Sequence, residues 1–126
     1  MTEREAEIGL WMALVSADGK VTDAELDVMF EAGERRFGSQ LRLGEMSATA
    51  ARAQQRIDRV GAHAYVVEIA PYLPRASARE LLATAADIAL ADGLSSEEEK
   101  LIRHVAHVLS IDEASINGLI GRLSQR

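Results

Sequence analysis

Apolar residues recur along this chain at helical spacing, three and four apart. Ile8, Trp11, Met12 and Val15 form one such stripe, widened by Leu10, Leu14 and Ala17, and predict a very apolar helix from about Glu3 to Ala17. Leu26, Met29, Phe30, Gly33 and Phe37 predict a second helix from Asp23, which Gly38 stops. Residues 39–80 are the least periodic. There Ser47 predicts the cap of a polar helix running to about Arg59, with Ala50, Ala53 and Ile57 as its apolar stripe. Val60 to Leu73 reads as a further helix holding Val67 and Ile69 and ending around Pro71 and Pro74. Ser77 with Glu80 predicts a capping box for a helix from Ala78 to Ala91, with Leu81, Leu82, Ala85, Ile88 and Ala89 apolar. Leu101, Ile102, Val105 and Leu109 mark a helix from Glu97 to Leu109, and Asp112 caps a last one through Leu123, with Ile116, Leu119, Ile120 and Leu123 inward. The expectation is an all-α, compact bundle of about seven helices in one domain, residues 1–126.

Two of the joints repeat. Ala17-Asp18-Gly19-Lys20-Val21-Thr22-Asp23-Ala24-Glu25 returns as Ala91-Asp92-Gly93-Leu94-Ser95-Ser96-Glu97-Glu98-Glu99, displaced by 74 residues from Asp18 to Asp92 and from Glu25 to Glu99. Such self-similarity predicts two pseudo-symmetric helix–Asp-Gly turn–helix repeats. Gly19 and Gly93 suit the left-handed position just past a helix end. Thr22 with Glu25 spells a capping box, with Val21 and Leu26 as its hydrophobic staple. Ser96 with Glu99 fills the same roles in the second copy, and Ser95 with Glu98 offers a second box one residue out of register. At the same displacement Trp11 meets Ala85, which implies a large-to-small complement between the two apolar helices. The helices after the corners differ by about one residue in apolar register, with Leu26, Met29 and Phe30 set against Leu101, Ile102 and Val105.

Capping leaves Asp18 and Asp92 unexplained. A carboxylate at a helix C-terminus faces the negative end of the dipole, at a cost of about 0.3–1 kcal/mol. Two causes fit. One is an Asx-type bond to the turn amides. The other is a cation held between the aspartate, the orphan carbonyls of the helix end and the following glutamate. The order Asp-Gly-x-apolar-Thr-x-x-Glu matches the second half of an EF-hand loop, but the leading ligand positions hold Leu14, Ser16, Ile88 and Leu90. A single-loop EF-hand is therefore excluded. A site assembled from both loops would take Asp18, Glu25, Asp92 and Glu99 and, with oxygen ligands only, would suit Ca²⁺ or Mg²⁺.

With its two Ala-Asp-Gly…Glu corners near the ends of a helical chain of this size, the sequence resembles the TerB family. That family comprises the tellurite-resistance TerB proteins and the TerB-like domains attached to J-domain co-chaperones. The resemblance is concentrated over residues 8–30 and 81–109. It implies a compact bundle of about seven helices, clustered acidic residues proposed to bind divalent metal, and a role in bacterial stress-response complexes rather than catalysis. The corresponding positions are Asp18, Gly19, Glu25, Asp92, Gly93 and Glu99.

Charge and composition narrow the picture. The net charge of −6 divides into −5 over residues 1–30, +2 over 31–80 and −3 beyond. Both corner-bearing ends are acidic, a poor basis for binding nucleic acid, and an acidic surface also repels an oxyanion such as tellurite. The chain has no cysteine, hence no disulfide or thiolate site. Its acidic start lacks an apolar signal core and no apolar run reaches membrane-spanning length, so a cytoplasmic protein is expected. Arg52, Arg56 and Arg59 line up on one helix face, either solvated or a docking patch for an acidic partner. His104 and His107 share a face and, with a third ligand, suit Zn²⁺ or Ni²⁺. His63 reads as a histidine at the core edge, and Asp87 as an exposed position. There is no Gly-rich phosphate loop, nucleophile elbow or Ser-His-Asp set. The expectation is a non-enzymatic binding module for other proteins, in a tellurite or stress-response complex, with a divalent-cation site at the acidic corners. The alternative is a pure interaction scaffold whose acidic corners only cap helices.

Overall fold

The helix with the most apolar pattern is the one the others pack around. In the computed structural model, α1 (Glu3–Val15) is buried without interruption from Ala6 to Val15. Its first turn is closed by Thr2, whose hydroxyl accepts from the Glu5 amide at 3.1 Å while Glu5 accepts from the Thr2 amide at 3.0 Å. That cap holds the Glu5 carboxyl below its ordinary pKa, chiefly through the Thr2 backbone bond. The structure describes residues 1–19, 21–38, 42–89 and 94–125, and of Leu43 and Ala89 the backbone only.

The described residues form seven α-helices and no strand. After α1 come α2 (Asp23–Phe37), α3 (Leu43–Val60), α4 (Ala62–Ile69), α5 (Ala78–Ala89), α6 (Ser96–Val108) and α7 (Glu113–Leu123). α1 lies chiefly against α3, α5 and α4. α2 rests mainly on α5, α4 bridges α3 and α6, and α7 packs on α6. The buried side chains form one continuous core from Ala6 to Leu123, in which Ile8, Trp11, Leu14, Met29, Ile69, Leu82, Leu101 and Ile102 are shut from solvent.

The middle of the chain departs from its sequence reading. α3 begins at Leu43, not at Ser47, and no side chain caps it. Ala50, Ala53 and Ile57 do form its buried stripe, extended back by Met46. Its middle is two alanines, Ala50 and Ala53, which lets α3 come close to α1. The helix expected over Val60–Leu73 is only α4. Gly61 breaks the chain before it at φ 88°, and 3₁₀ turns at Ala70–Tyr72 and Arg75–Ser77 follow on either side of Pro74. Val67, expected inside, is 53% exposed, because α4 turns Tyr65, Val66 and Ile69 inward. The Ser77 hydroxyl donates to the Pro74 carbonyl at 3.4 Å, and α5 is entered from the second 3₁₀ turn rather than through a Ser77–Glu80 box.

Two ends are tied by charge and ring contacts. Glu7, 3% exposed, takes both bonds of a fork from Arg36 at 2.8 Å, joining α1 to the end of α2. Arg36 also lies over the Phe37 ring, and Phe37 stacks on Trp11 with centroids 5.9 Å apart. α6 ends in a left-handed Ser110 at φ 58°, with the Ile111 amide donating back to Ala106 at 2.8 Å. Asp112 then caps α7 through the Ser115 amide and receives Arg79 at 2.6 Å. The Ser115 hydrogen bonds, ahead of the Arg79 charge, hold the Asp112 carboxyl below its usual pKa.

Candidate functional site: the acidic corners

The first corner is described almost completely. α1 ends at Val15, earlier than Ala17, with Ser16 as its C-cap. The Ser16 hydroxyl donates to the Met12 carbonyl at 2.7 Å, and the Gly19 amide donates to Ser16 O at 3.0 Å. Gly19 has the left-handed φ expected of it, 81°, but as the last residue of a turn begun at Ser16 rather than immediately past the helix. Asp18 is exposed in this turn. The capping box is formed as its residues suggest. Thr22 Oγ1 accepts from the Glu25 amide at 3.1 Å, and Glu25 Oε1 accepts from both the Thr22 amide at 3.0 Å and the Thr22 hydroxyl at 2.9 Å. One oxygen of the carboxylate assigned to a cation is thus already engaged.

At the second corner Asp92 and Gly93, with Leu90 and Ala91, lie outside the described residues, and so does any pairing of Asp92 with Asp18. What is described corrects the register. The box belongs to Ser95 and Glu98: Glu98 accepts from the Ser95 amide at 2.8 Å, and Ser95 Oγ accepts from the Glu98 amide at 3.1 Å. Ser96 is the first residue of α6, and Glu99 points to Arg103 at 3.5 Å instead of capping. The corners therefore correspond at 73 residues after the turn, from Thr22 to Ser95 and from Glu25 to Glu98, and the same shift brings Met29 onto Ile102 and Ala32 onto Val105, all four buried. The register difference between the two helices is this missing residue. Glu98 is 7% exposed, whereas Glu25 is half-buried. Burial favours the box one residue earlier, because it turns Leu101 and Ile102 inward together.

The remaining candidates fall in separate places. Among the described residues, no group of three or more His, Asp or Glu side chains is placed to hold a metal ion. His104 meets a histidine of another helix. Its Nε2 lies 2.9 Å from the His63 carbonyl, and its ring meets the His63 ring at 4.7 Å between centroids. The spacing of the sequence pointed to a neighbour on the same helix, while the contact comes from α4, 41 residues away. His63 is exposed rather than at the core edge. Arg52, Arg56 and Arg59 are all exposed on α3. Arg56 makes a fork to Glu68 at 3.0 and 2.6 Å, tying α3 to α4, and Arg52 reaches Glu5 at 3.6 Å. Asp87 is exposed, in a shallow depression between α2 and α5 that Arg35 and Arg36 also line. A larger groove of about 460 Å³, with Leu82, Ala83, Ile111 and Leu119 in its walls and Arg79 and Arg122 at its rim, opens between α5 and α7. Nothing in the hydrophobic pattern marked it, since its walls are the edges of residues that also serve the core.

A family model described as Tellurite resistance protein TerB matches residues 4–119, from the first turn of α1 into α7. The chain belongs to the TerB family. No curated protein and no solved structure matches it. The match spans α2 to α6 of this TerB chain entirely and most of α1 and α7, including the middle stretch that carries no repeat. No helix among the described residues is long and apolar enough to cross a membrane.

Proposed function

We propose that this TerB chain is a non-enzymatic, cytoplasmic binding module that contacts other proteins in a bacterial tellurite or stress-response complex, and that its acidic corners are capping devices. The observation that carries the second part is the engagement of Glu25 Oε1 by the Thr22 amide and hydroxyl. A cation drawn to that carboxylate competes with the cap of α2. The residue equivalent to Glu25 is Glu98, buried in its own box, rather than Glu99, which is half-buried and pairs with Arg103. The first part rests on membership of the TerB family.

Two measurements test the reading. In a Ca²⁺, Mg²⁺ and Zn²⁺ titration followed by amide NMR, Gly19 and Gly93 stay in place below millimolar ion. A joint, saturating shift of both glycines makes Asp18, Glu25, Asp92 and Glu99 a shared cation site and overturns the capping view. In cells deleted for the chain, tellurite tolerance falls and is restored by Asp18→Asn, whose amide makes the same Asx bond. No restoration returns the function to a cation, and no loss on deletion removes the tellurite role.

A further inference from the structure

The contact between His63 and His104 has no part in capping or in the corners, and it is the place where α4 meets α6 through polar groups. A carbonyl oxygen only accepts, so the 2.9 Å contact with His63 O requires the hydrogen on His104 Nε2. This fixes the neutral tautomer of His104 and leaves Nδ1 to take up a proton without breaking the bond. The His63 ring stands 4.7 Å from the His104 ring, inclined at 42°.

We infer that His63 and His104 form an acid-sensitive clasp, which holds α4 on α6 at neutral pH and loosens it in mild acid. The surrounding charges do not cancel the repulsion of two imidazolium rings. From α6, Glu97 favours a charged His63 and Lys100 opposes it, and these two lie 3.5 Å from one another. On α4 itself Glu68 is held by Arg56 of α3. The end of α3 carries Asp58 and Arg59, of opposite sign, and α1 carries Glu3, Arg4, Glu5 and Glu7 at its own N-terminal half, with Glu7 bound to Arg36. Partial desolvation of this largely exposed ring first, and the His104 ring second, set the His63 pKa below the ordinary imidazole value. A histidine depressed in this way binds more protons unfolded than folded. Its contribution to stability is therefore fully present above the ordinary imidazole pKa and is lost as pH falls from there through the lower folded value. α4 is the element exposed to that loss: it has eight residues, no side-chain cap, and a glycine break before it.

The test follows imidazole ring protons and α4 amide exchange by NMR on the whole chain, between about pH 7.5 and pH 5.5. His63 is expected to titrate below the ordinary imidazole value. After correction for intrinsic rates, the amides of Val66 and Ile69 exchange about tenfold faster relative to α1 at the lower pH. His63→Gln keeps the backbone carbonyl that His104 binds and removes the second charge, so it abolishes the acid-induced loosening. His104→Gln raises the His63 titration toward the ordinary value. If α4 protection is unchanged by acid, or if His63→Gln loosens in acid as the parent does, the clasp is wrong. Should His104→Gln fail to fold, the His63→Gln comparison decides alone.

Discussion

The two corners share a motif and differ in how deeply they are set. Around Thr22 the box lies at the surface, Val21 is exposed, and the helix it starts buries only Met29, Ala32 and Gly33. Around Ser95 the box carboxylate is buried, and the helix it starts buries Leu101, Ile102, Val105 and Ala106. In the sequence, one residue fewer separates Asp-Gly from the cap in the second copy. The deletion rotates α6 by about 100° relative to the letters of the motif, enough to exchange which of two neighbouring positions faces the core. A repeated string of residues therefore identifies a repeated local device, a turn and a cap. It does not identify a repeated environment.

The largest expected difference between the corners is in packing. Leu101→Ala, at a fully buried site, should cost about 2–5 kcal/mol in denaturant unfolding, and Leu26→Ala, half-exposed on α2, about 1 kcal/mol. Equal losses would mean that α2 is as deeply packed as α6. Next in size is the box carboxylate. Glu98→Ala leaves the Ser95 amide without its partner in a part-buried setting and should cost about 1–3 kcal/mol, while Glu25→Ala at the surface should cost about 0.5–1 kcal/mol. The register itself is tested by the serines. Ser95→Ala should lower stability by about 1 kcal/mol, and Ser96→Ala should change it by less than about 0.5 kcal/mol. The reverse ranking would restore the correspondence at 74 residues that the letters suggest. Smallest is Asp18→Asn, expected within about 0.5 kcal/mol in thermal unfolding with and without Mg²⁺. A magnesium-dependent gap between the parent and this variant would show a cation at the first corner after all.

Much of this was readable because periodicity reports burial directly. α1, α6 and α7 bury the residues their stripes named, save Ala17, which lies past the end of α1 and is only half-buried, and Thr22–Glu25 formed the box its spacing spells. The failures have physical causes. Ser47 looks like a cap because a hydroxyl can start a helix, but α3 starts a turn earlier with no side-chain cap at all. Val67 looks like core because a branched apolar residue normally is. α4 is too short to bury two faces, and the face holding Tyr65, Val66 and Ile69 won. Gly9 carried no visible signal, although a Cβ there would collide with the Tyr65 hydroxyl and so a glycine lets α1 and α4 approach. Of the candidate site, Asp18 and Glu25 were legible as a corner, but the partner of His104 was not, because side chains far apart in sequence meet only after α4 and α6 pack.

By itself, then, the sequence determined the helical class, the central place of α1, the two Asp-Gly joints and the TerB family, because each depends on short-range spacing or on local hydrogen bonds. Tertiary structure alone decided which serine and glutamate cap α6, that Val67 faces water, that Glu7 binds Arg36, and that His63 rather than His107 meets His104. These choices hang on how one helix is rotated and placed against another. Such a rotation is set by the summed burial of many side chains and is written in no single stretch of the chain.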